Sequence, residues 1–248
     1  MNTNFVSRFE AIDLDGLDRV SLMERTDKKF VVAADMIPEL FQQICNDYFI
    51  LEIDNERLLR YHTNYFDTSD DKLYTCHHNG KLNRFKVRKR TYLDTQISFL
   101  EVKFKTNKGK TIKKRIQISN SEIALNEREK EFLRQIMPGD PNALFPKSIN
   151  QFRRITLVDK NLTERCTIDF DFLFESGDKS VERDDFVIIE IKQDRYTKSS
   201  KLSEMLIENR IKPTSFSKYC LGRAFAEKKL KRNSFKPKMR TLNKIIQN

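Results

Sequence analysis

The sequence predicts an α+β protein in which helices cover one side of a large antiparallel sheet. At least seven segments alternate charged and apolar residues, as β-strands with one polar and one apolar face do. Short loops join consecutive segments, and one of them contains Gly109, which favours an antiparallel meander. Stretches with apolar residues at helical spacing stand between the strands. Two arrangements fit this pattern: an open sheet with a charged wet face, or a barrel of about eight strands with the charge inside.

Composition indicates a globular protein with a polyanionic partner. Of the 248 residues, 38% are apolar, 19 are Phe, and the formal net charge is +11. Nucleic acid, an anionic membrane surface and phosphate-rich small molecules all fit this charge. The four cysteines form no CxxC pair, and the sequence has no secretory or membrane-spanning segment, which predicts reduced thiols in a cytoplasmic protein. His77 and His78 beside Cys76 have no second ligand pair nearby, so residues 76–80 are predicted as a polar turn rather than a zinc site.

The first part of the chain is predicted to alternate strands and a helix. Residues 22–32 and 57–68 have the alternation of strands. Residues 33–48 have apolar side chains at helical spacing, with Asp35 able to cap and Pro38 in the first turn. These features predict a helix between the two strands.

Three basic strands follow, at residues 84–92, 99–105 and 111–118. Residues 84–118 hold twelve Lys or Arg against two acids. A half-exposed sheet would spread both signs of charge over its wet face. This meander instead concentrates positive charge on one face, which indicates a site for a multiply charged anion.

The second part of the chain repeats the pattern. Residues 120–137 are predicted as a helix capped by Ser121, and the basic segment after Arg232 as a frayed or partner-dependent end. Further strands are predicted at 149–158, 165–175 and 184–194, and further helices at 201–211 and 217–232. In the strand at 165–175, one face is predicted to carry Arg165, Thr167, Asp169 and Asp171, and the other Cys166, Ile168, Phe170, Phe172 and Phe174.

Two carboxylates stand out within predicted strands. Glu190 is isolated in the apolar stretch VIIEIK, where a buried carboxylate is unfavourable unless it meets a cation. That cation can be a metal ion, or it can be Lys192 or an arginine across the sheet. Glu101 lies beside Lys103 on the same face, and an internal ion pair and a second metal ligand are equally good interpretations.

Nine segments in order carry a resemblance to a known family: ERTDKKF, YFDT, VRKRTY, FLEVKFK, IKKR, FRRITL, RCTIDFD, IIEIK and SFSKY. From about residue 20 to residue 225 the chain resembles the catalytic domain of the vacuolar transporter chaperone (VTC) polyphosphate polymerases. That family belongs to the triphosphate tunnel metalloenzymes and is related in fold to the CYTH triphosphatases. The resemblance implies an eight-stranded antiparallel barrel, or tunnel, with helices packed outside. It also implies a single domain over residues 1–232, followed by a basic tail at 233–248.

The resemblance implies a set of site residues as well, with ATP and inorganic polyphosphate as ligands and Mn²⁺ or Mg²⁺ as cofactor. The implied catalytic residues are Arg88, Arg90, Lys103, Arg154 and Arg165; the implied substrate-binding residues are Arg25, Lys29, Lys113, Arg115, Ser217 and Lys218; and the implied metal ligand is Glu190. Two positions depart from the family pattern. Phe152 stands where a tyrosine hydroxyl is expected, and Ser215 stands where a lysine is expected, with Lys212 nearby.

Three functions follow as hypotheses. The first is a polyphosphate polymerase that moves the γ-phosphate of ATP onto a polyphosphate end. The second is a tunnel triphosphatase, which the basic Arg25 in the first strand disfavours, because those relatives begin with an acidic ExExK strand. The third is a polyanion-binding protein without catalysis, although no specific nucleic-acid partner is expected, since the polar faces lack interleaved aromatic residues. The family's phosphate-sensing SPX domain and membrane helices are not in the sequence, so work at the inner face of a membrane would need a separate membrane partner.

Overall fold

The computed structural model describes residues 3–20, 25–119, 123–194, 196 and 200–247, with the side chains of Arg25 and Gln247 outside what it describes. The strands are β1 (Glu10–Ile12), β2 (Arg25–Ala33), β3 (Tyr48–Leu51), β4 (Leu59–Asp67), β5 (Arg84–Tyr92), β6 (Ile97–Lys105), β7 (Thr111–Ile118), β8 (Phe145–Asp159), β9 (Glu164–Ser176), β10 (Lys179–Arg183) and β11 (Phe186–Asp194). The helices are α1 (Leu14–Asp18), α2 (Ile37–Gln42), α3 (Lys72–His78), α4 (Glu127–Arg134), α5 (Lys201–Glu208), α6 (Lys218–Ala226) and α7 (Lys236–Gln247).

Eight strands form one continuous antiparallel sheet in the order β2-β11-β9-β8-β4-β5-β6-β7. Three short strands add to it: β10 pairs with β9, and β3 joins β1 to β8. The two edge strands, β2 and β7, form no ladder with each other in the described residues. The predicted α+β fold with an eight-stranded tunnel is therefore confirmed, but hydrogen bonds do not close the ring of strands.

Electrostatic coupling across the sheet shows that it curls around its charged face. The pKa of Lys103 on β6 is lowered most by Arg88 but is raised by Glu190 on β11. In a flat sheet these two strands would lie about 24 Å apart, at about 4.8 Å per strand. Charges that far apart are largely screened by solvent. The charged faces therefore face each other across an interior, which is called the tunnel below.

Two apolar cores lie outside the tunnel. One packs α2 and α5 against the outer face of β2, β11, β9 and β8, with Phe30, Ile189 and Phe170 fully buried. The other packs α4 against the outer face of β4 to β7 around Val87 and Leu100. These cores hold the apolar side chains of each strand outward, so the alternating charged side chains must point inward.

A β-bulge in β9 changes which residues face the tunnel. Asp171 adopts a φ of 51°, and the pairing of β9 with β8 shifts by one residue at this point. Asp171 consequently pairs with Arg153 at 3.5 Å on the outer side, while Phe172 turns inward and stacks on Phe186 at 5.1 Å. The prediction that Asp171 shares the face of Asp169 is therefore wrong, because the extra residue reverses the alternation.

The chain following β11 closes one end of the tunnel. Helix α6 lies against the inner face of the sheet, with Gly222 so close to Phe174 that an added Cβ would lie 2.5 Å from its ring. On the other side, Arg223 fastens the helix by donating to Asp71 at 2.8 Å, and it also donates to Glu227 at the end of the same helix at 2.6 Å. Helix α7 then packs on β2 through the buried Leu242. The predicted frayed end is wrong, because residues 236–247 are helical and apolar residues anchor them.

Several predicted helix boundaries are also wrong. The helix expected at 120–137 begins at Glu127, where Asn126 and Glu129 form a capping box, and Ser121 lies outside the described residues. The helix expected at 33–48 ends at Gln42, and Tyr48 begins a strand instead. The helix expected at 201–211 ends at Glu208, and the helix expected at 217–232 ends at Ala226. The turn expected at 76–80 lies partly in α3, whose first amides are bound by Asp67. No helix in the described part of the chain is long and apolar enough to cross a membrane.

Candidate functional site

Three cations from separate elements meet over the ring of Phe152 on β8. The guanidinium carbons of Arg90 on β5 and Arg154 on β8 lie 5.9 and 5.5 Å from the ring centroid, and the ammonium of Lys218 on α6 lies 4.8 Å from it. Tyr61 stacks beside Phe152 at 5.1 Å and extends this aromatic floor. The structure thus brings together three of the predicted site residues, in a geometry suited to holding one highly charged anion.

Asp169 on β9 partly balances this group. Arg154 donates to its carboxylate with two bonds of 2.5 and 2.8 Å, and Lys218 donates to the same carboxylate. Burial alone would raise the pKa of Asp169, but the two cations outweigh burial and hold the pKa well below its usual range. Asp169 is therefore ionised at neutral pH, and through Lys218 it ties helix α6 to the sheet.

Glu101 plays a similar part on the other wall. It is 1% exposed, and Arg88 donates from Nε to its Oε2 at 2.7 Å, while Lys113 of β7 pairs with its other oxygen. Burial raises the pKa of Glu101, but Arg88, Arg90 and Lys113 hold it far below its usual range. Of the two interpretations from the sequence, the ion pair is the one that the structure contains. Arg115 lies opposite Glu101 on β7, with its guanidinium 4.4 Å from the Phe99 ring.

Glu190 on β11 is also paired. Its Oε1 lies 2.7 Å from the ammonium of Lys29 on β2 and 3.9 Å from that of Lys192. Burial raises the pKa of Glu190, but Lys192 and Lys29 hold it well below its usual range. Arg165 lies opposite Lys192 on the neighbouring strand. Glu190 thus stands at the centre of a second cationic group, on the side of the tunnel away from Glu101.

Lys103 has no carboxylate partner among the described residues. It lies directly opposite Lys86 on β5 and Lys113 on β7, on the tunnel face. Repulsion by Arg88, then burial and Arg90, lowers the pKa of Lys103 to about 6. When an anion binds beside such an unpaired amine, the amine takes up a proton. The resulting ammonium then interacts favourably with the anion.

The remaining predicted residues lie at the start of helix α6 and at the start of strand β2. Ser217 caps α6 by accepting from the amide of Cys220, and it also accepts a 3.0 Å bond from Lys86. Arg25 begins β2 opposite Asp194, but its side chain lies outside the described part of the structure.

Glu190 is the one residue of the tunnel that is predicted to bind a metal ion. Within the described ranges no three His, Cys, Asp or Glu side chains cluster closely enough to hold a metal ion. Mg²⁺ and Mn²⁺ prefer oxygen ligands, and Mg²⁺ commonly uses one or two carboxylates with water and substrate phosphates. The residues therefore fit a cation that completes its shell with phosphate oxygens.

Comparisons with known proteins agree with this geometry. The family model of the VTC domain matches residues 24–227, and the chain therefore belongs to the VTC domain family. A Hippeastrum protein named as an adenylyl cyclase, HpAC1, and described with a dominant triphosphatase activity is 14% identical, with 82% of this chain and 97% of that one covered and a TM-score of 0.50. A Bacillus halodurans protein named as an adenylate cyclase is also 14% identical, with coverages of 79% and 96% and a TM-score of 0.49. No curated protein matches the sequence. At this identity the Hippeastrum protein shows a shared fold, the triphosphate tunnel fold.

Sequence reasoning missed several residues of the site. Lys86 lies in the basic strand predicted at 84–92, but nothing in that pattern indicates its bond to Ser217. From the sequence alone, Asp169 fits an alternative metal carboxylate and a salt bridge between strands equally well, and the structure pairs it with Arg154 on the neighbouring strand. Tyr61 gave no signal, because nothing local distinguishes a stacking tyrosine from a core one.

Proposed function

We propose that the protein is a polyphosphate polymerase that transfers the γ-phosphate of ATP to the end of an inorganic polyphosphate chain and releases ADP. VTC family membership supports this reaction class. The observation that carries the proposal is a set of tunnel cations without a carboxylate partner in the described structure: the buried Arg90 and the half-buried Lys103 and Lys86. Such a set of cations is unfavourable unless a multiply charged anion lies between them.

The proposed transfer is an in-line displacement. A terminal oxygen of the polyphosphate attacks the γ-phosphorus, the bond from that phosphorus to the β,γ-bridging oxygen breaks, and ADP leaves with the electron pair. Charge on the transferred group is spread over its equatorial oxygens, so positioning and electrostatic stabilisation dominate. Arg90, Arg154 and Lys218 are suited to stabilise that charge, because they converge from three elements. Glu190 would hold a Mn²⁺ or Mg²⁺ ion, which would supply Lewis acidity to the reaction.

A tunnel triphosphatase is the second candidate. The fold shared with the Hippeastrum protein, which is described with a dominant triphosphatase activity, favours it. Water would then attack the terminal phosphorus in place of the polyphosphate oxygen. A non-catalytic polyanion-binding protein is the third candidate, and the same cations would serve it.

The reaction products distinguish the three candidate functions. Purified protein is incubated with ATP and Mn²⁺, and the mixture is resolved on a gel stained for polyphosphate while ADP and free phosphate are measured. Long chains formed together with ADP support the polymerase. Release of free phosphate from ATP or tripolyphosphate without chain growth would rule out the polymerase and support the triphosphatase. If neither substrate is turned over, the non-catalytic binding protein is the remaining candidate.

A further inference from the structure

A group of three cations lies where the tunnel meets helices α6 and α7. Lys86 on β5 donates to Ser217 at the start of α6, and Arg84, two residues away on the same face of β5, donates to His77 at 3.2 Å. The third cation is Lys238 of α7, whose ammonium donates to the hydroxyl of Ser215. Arg84, Lys86 and Lys238 are called the outer cluster below.

The outer cluster concentrates positive charge. None of its three side chains forms an ion pair with a carboxylate in the described residues, whereas Arg88, Arg154 and Lys218 deeper in the tunnel all do. The neighbouring His77 is affected by these charges. Its pKa is lowered to about 3, mainly by burial and then by Lys86, Arg84 and Lys238. The three cations are therefore close enough to act together, and His77 stays neutral between them.

The chain that supplies Lys238 adds further positive charge. Residues 228–247 contain no Asp or Glu but eight cations: Lys228, Lys229, Lys231, Arg232, Lys236, Lys238, Arg240 and Lys244. Phe235 and Leu242, which are 4% and 3% exposed, anchor this segment. It lies beyond the residues 24–227 that match the VTC domain. Lys238 of this segment lies over Ser215, the position where the family resemblance predicts a lysine. An ammonium thus reaches that position from a different part of the chain.

Lys86 lies opposite Lys103 and borders the inner cations, but Arg84 lies too far from Arg90 for one short ligand to contact both. Arg84 is six residues along β5 from Arg90, which is roughly 20 Å at the rise of a strand. A triphosphate is shorter than this distance. A longer polyphosphate, with one negative charge on every internal phosphate, spans it.

We propose that Arg84, Lys86 and Lys238 form an outer subsite that holds the inorganic polyphosphate chain where it extends beyond the inner cations, with Lys238 supplying the ammonium that Ser215 lacks. The inference rests on the proposed function for its ligand. Its consequence is length selectivity: Arg84 and Lys238 strengthen binding of long chains and do not affect ligands as short as tripolyphosphate, which Lys86 can contact together with Lys103.

Equilibrium binding without turnover tests the subsite. Full-length wild type, Lys238→Ala and the matched control Lys244→Ala, an exposed lysine on the same helix, are titrated with long-chain polyphosphate and with tripolyphosphate. Lys238→Ala is expected to weaken long-chain binding by about three- to tenfold, because one charge-assisted contact is lost in a partly exposed setting. It should leave tripolyphosphate binding unchanged, and Lys244→Ala should bind both ligands as wild type does. Thermal unfolding of each variant verifies that α7 stays packed.

A second variant tests the position of the charge. Ser215→Lys in the Lys238→Ala background should restore long-chain affinity, since it returns an ammonium to the same place. The proposal is overturned if Lys238→Ala binds long chains like wild type, if it loses affinity equally for both lengths, or if it loses RNA binding while keeping polyphosphate binding. Failure of the proposed polymerase is a separate result, because it appears as absent synthesis in wild type, whatever the binding data show.

Discussion

The carboxylate of Glu190 on β11 lies 2.7 Å from the ammonium of Lys29 on the neighbouring strand β2. The family resemblance assigns these two residues to opposite tasks, a metal ligand and a phosphate ligand. In the ligand-free protein each satisfies the other. A metal ion at Glu190 would release Lys29 toward phosphate, so binding of metal and of polyanion should be mutually favourable.

Glu190→Gln is expected to reduce synthesis by orders of magnitude, because the amide cannot supply the negative charge that holds the metal ion. Binding of polyphosphate should persist or improve, since the substitution frees Lys29. Initial rates at saturating ATP and Mn²⁺, together with polyphosphate titrations, check both statements. The exposed Glu182→Gln is the control. Wild-type rates in Glu190→Gln would show that this carboxylate is only structural.

Ligand binding should take up a proton at Lys103. In the free protein the pKa of Lys103 is about 6, so the amine is mostly neutral above that pH. A bound polyanion raises the pKa, and affinity should therefore fall as pH rises from about 6 to about 8. Calorimetry of tripolyphosphate binding in buffers of different ionisation enthalpy measures the proton uptake.

Comparison with Lys103→Met separates this proton from those of the ligand's own phosphates. The uptake should be smaller in Lys103→Met and unchanged in Lys114→Met, whose side chain lies on the outer face of β7. Equal uptake in wild type and Lys103→Met would mean that only the ligand titrates.

Arg88→Ala should lower the free energy of unfolding by about 3 kcal/mol, because Glu101 stays buried with one cation fewer. Arg88→Ala combined with Glu101→Gln should recover part of this loss, since the uncompensated charge is removed. Urea denaturation of the single and double variants measures the coupling. Arg153→Ala, which breaks the more exposed pair with Asp171, should cost less than about 1 kcal/mol. Additive effects of the Arg88 and Glu101 substitutions would argue against the pairing.

Gly222→Ala should destabilise the protein although alanine favours helices. The propensity gain is about 1 kcal/mol, and overpacking against Phe174 costs about 1–3 kcal/mol. Thermal denaturation should show the net loss, and Phe174→Leu in the same chain should reverse part of it by making room. If Gly222→Ala raised the melting temperature, α6 would not press on the sheet as closely as described.

The alternation of charged and apolar residues was enough to predict the tunnel face of the meander. Side chains at every second position of an antiparallel ladder lie beside each other, so Arg88, Glu101 and Arg115 had to be neighbours across three strands. The same rule failed at Asp171, because a single residue with positive φ reverses the faces and no local pattern marks it.

Contacts between distant segments were beyond the reach of the sequence. Lys238 reads as one more cation in a basic tail, and only the packing of α7 on β2 brings it to Ser215. The pairing of Lys29 with Glu190 was missed for another reason: the partners considered for the isolated glutamate were Lys192 and an arginine across the sheet, whereas its closer partner is a lysine on the adjacent strand.

The unpaired edges of β2 and β7 bear on how a polymer could be loaded. When all neighbouring strands of a barrel are hydrogen-bonded, a polymer can enter the barrel only with a chain end first. Here the described strands leave a seam between β7 and the edge of β2, where the amide of Thr214 donates to the carbonyl of Lys29, and opening the seam breaks no ladder between the two strands. A long chain could be laid in sideways from its middle and would not need a free end to find the opening.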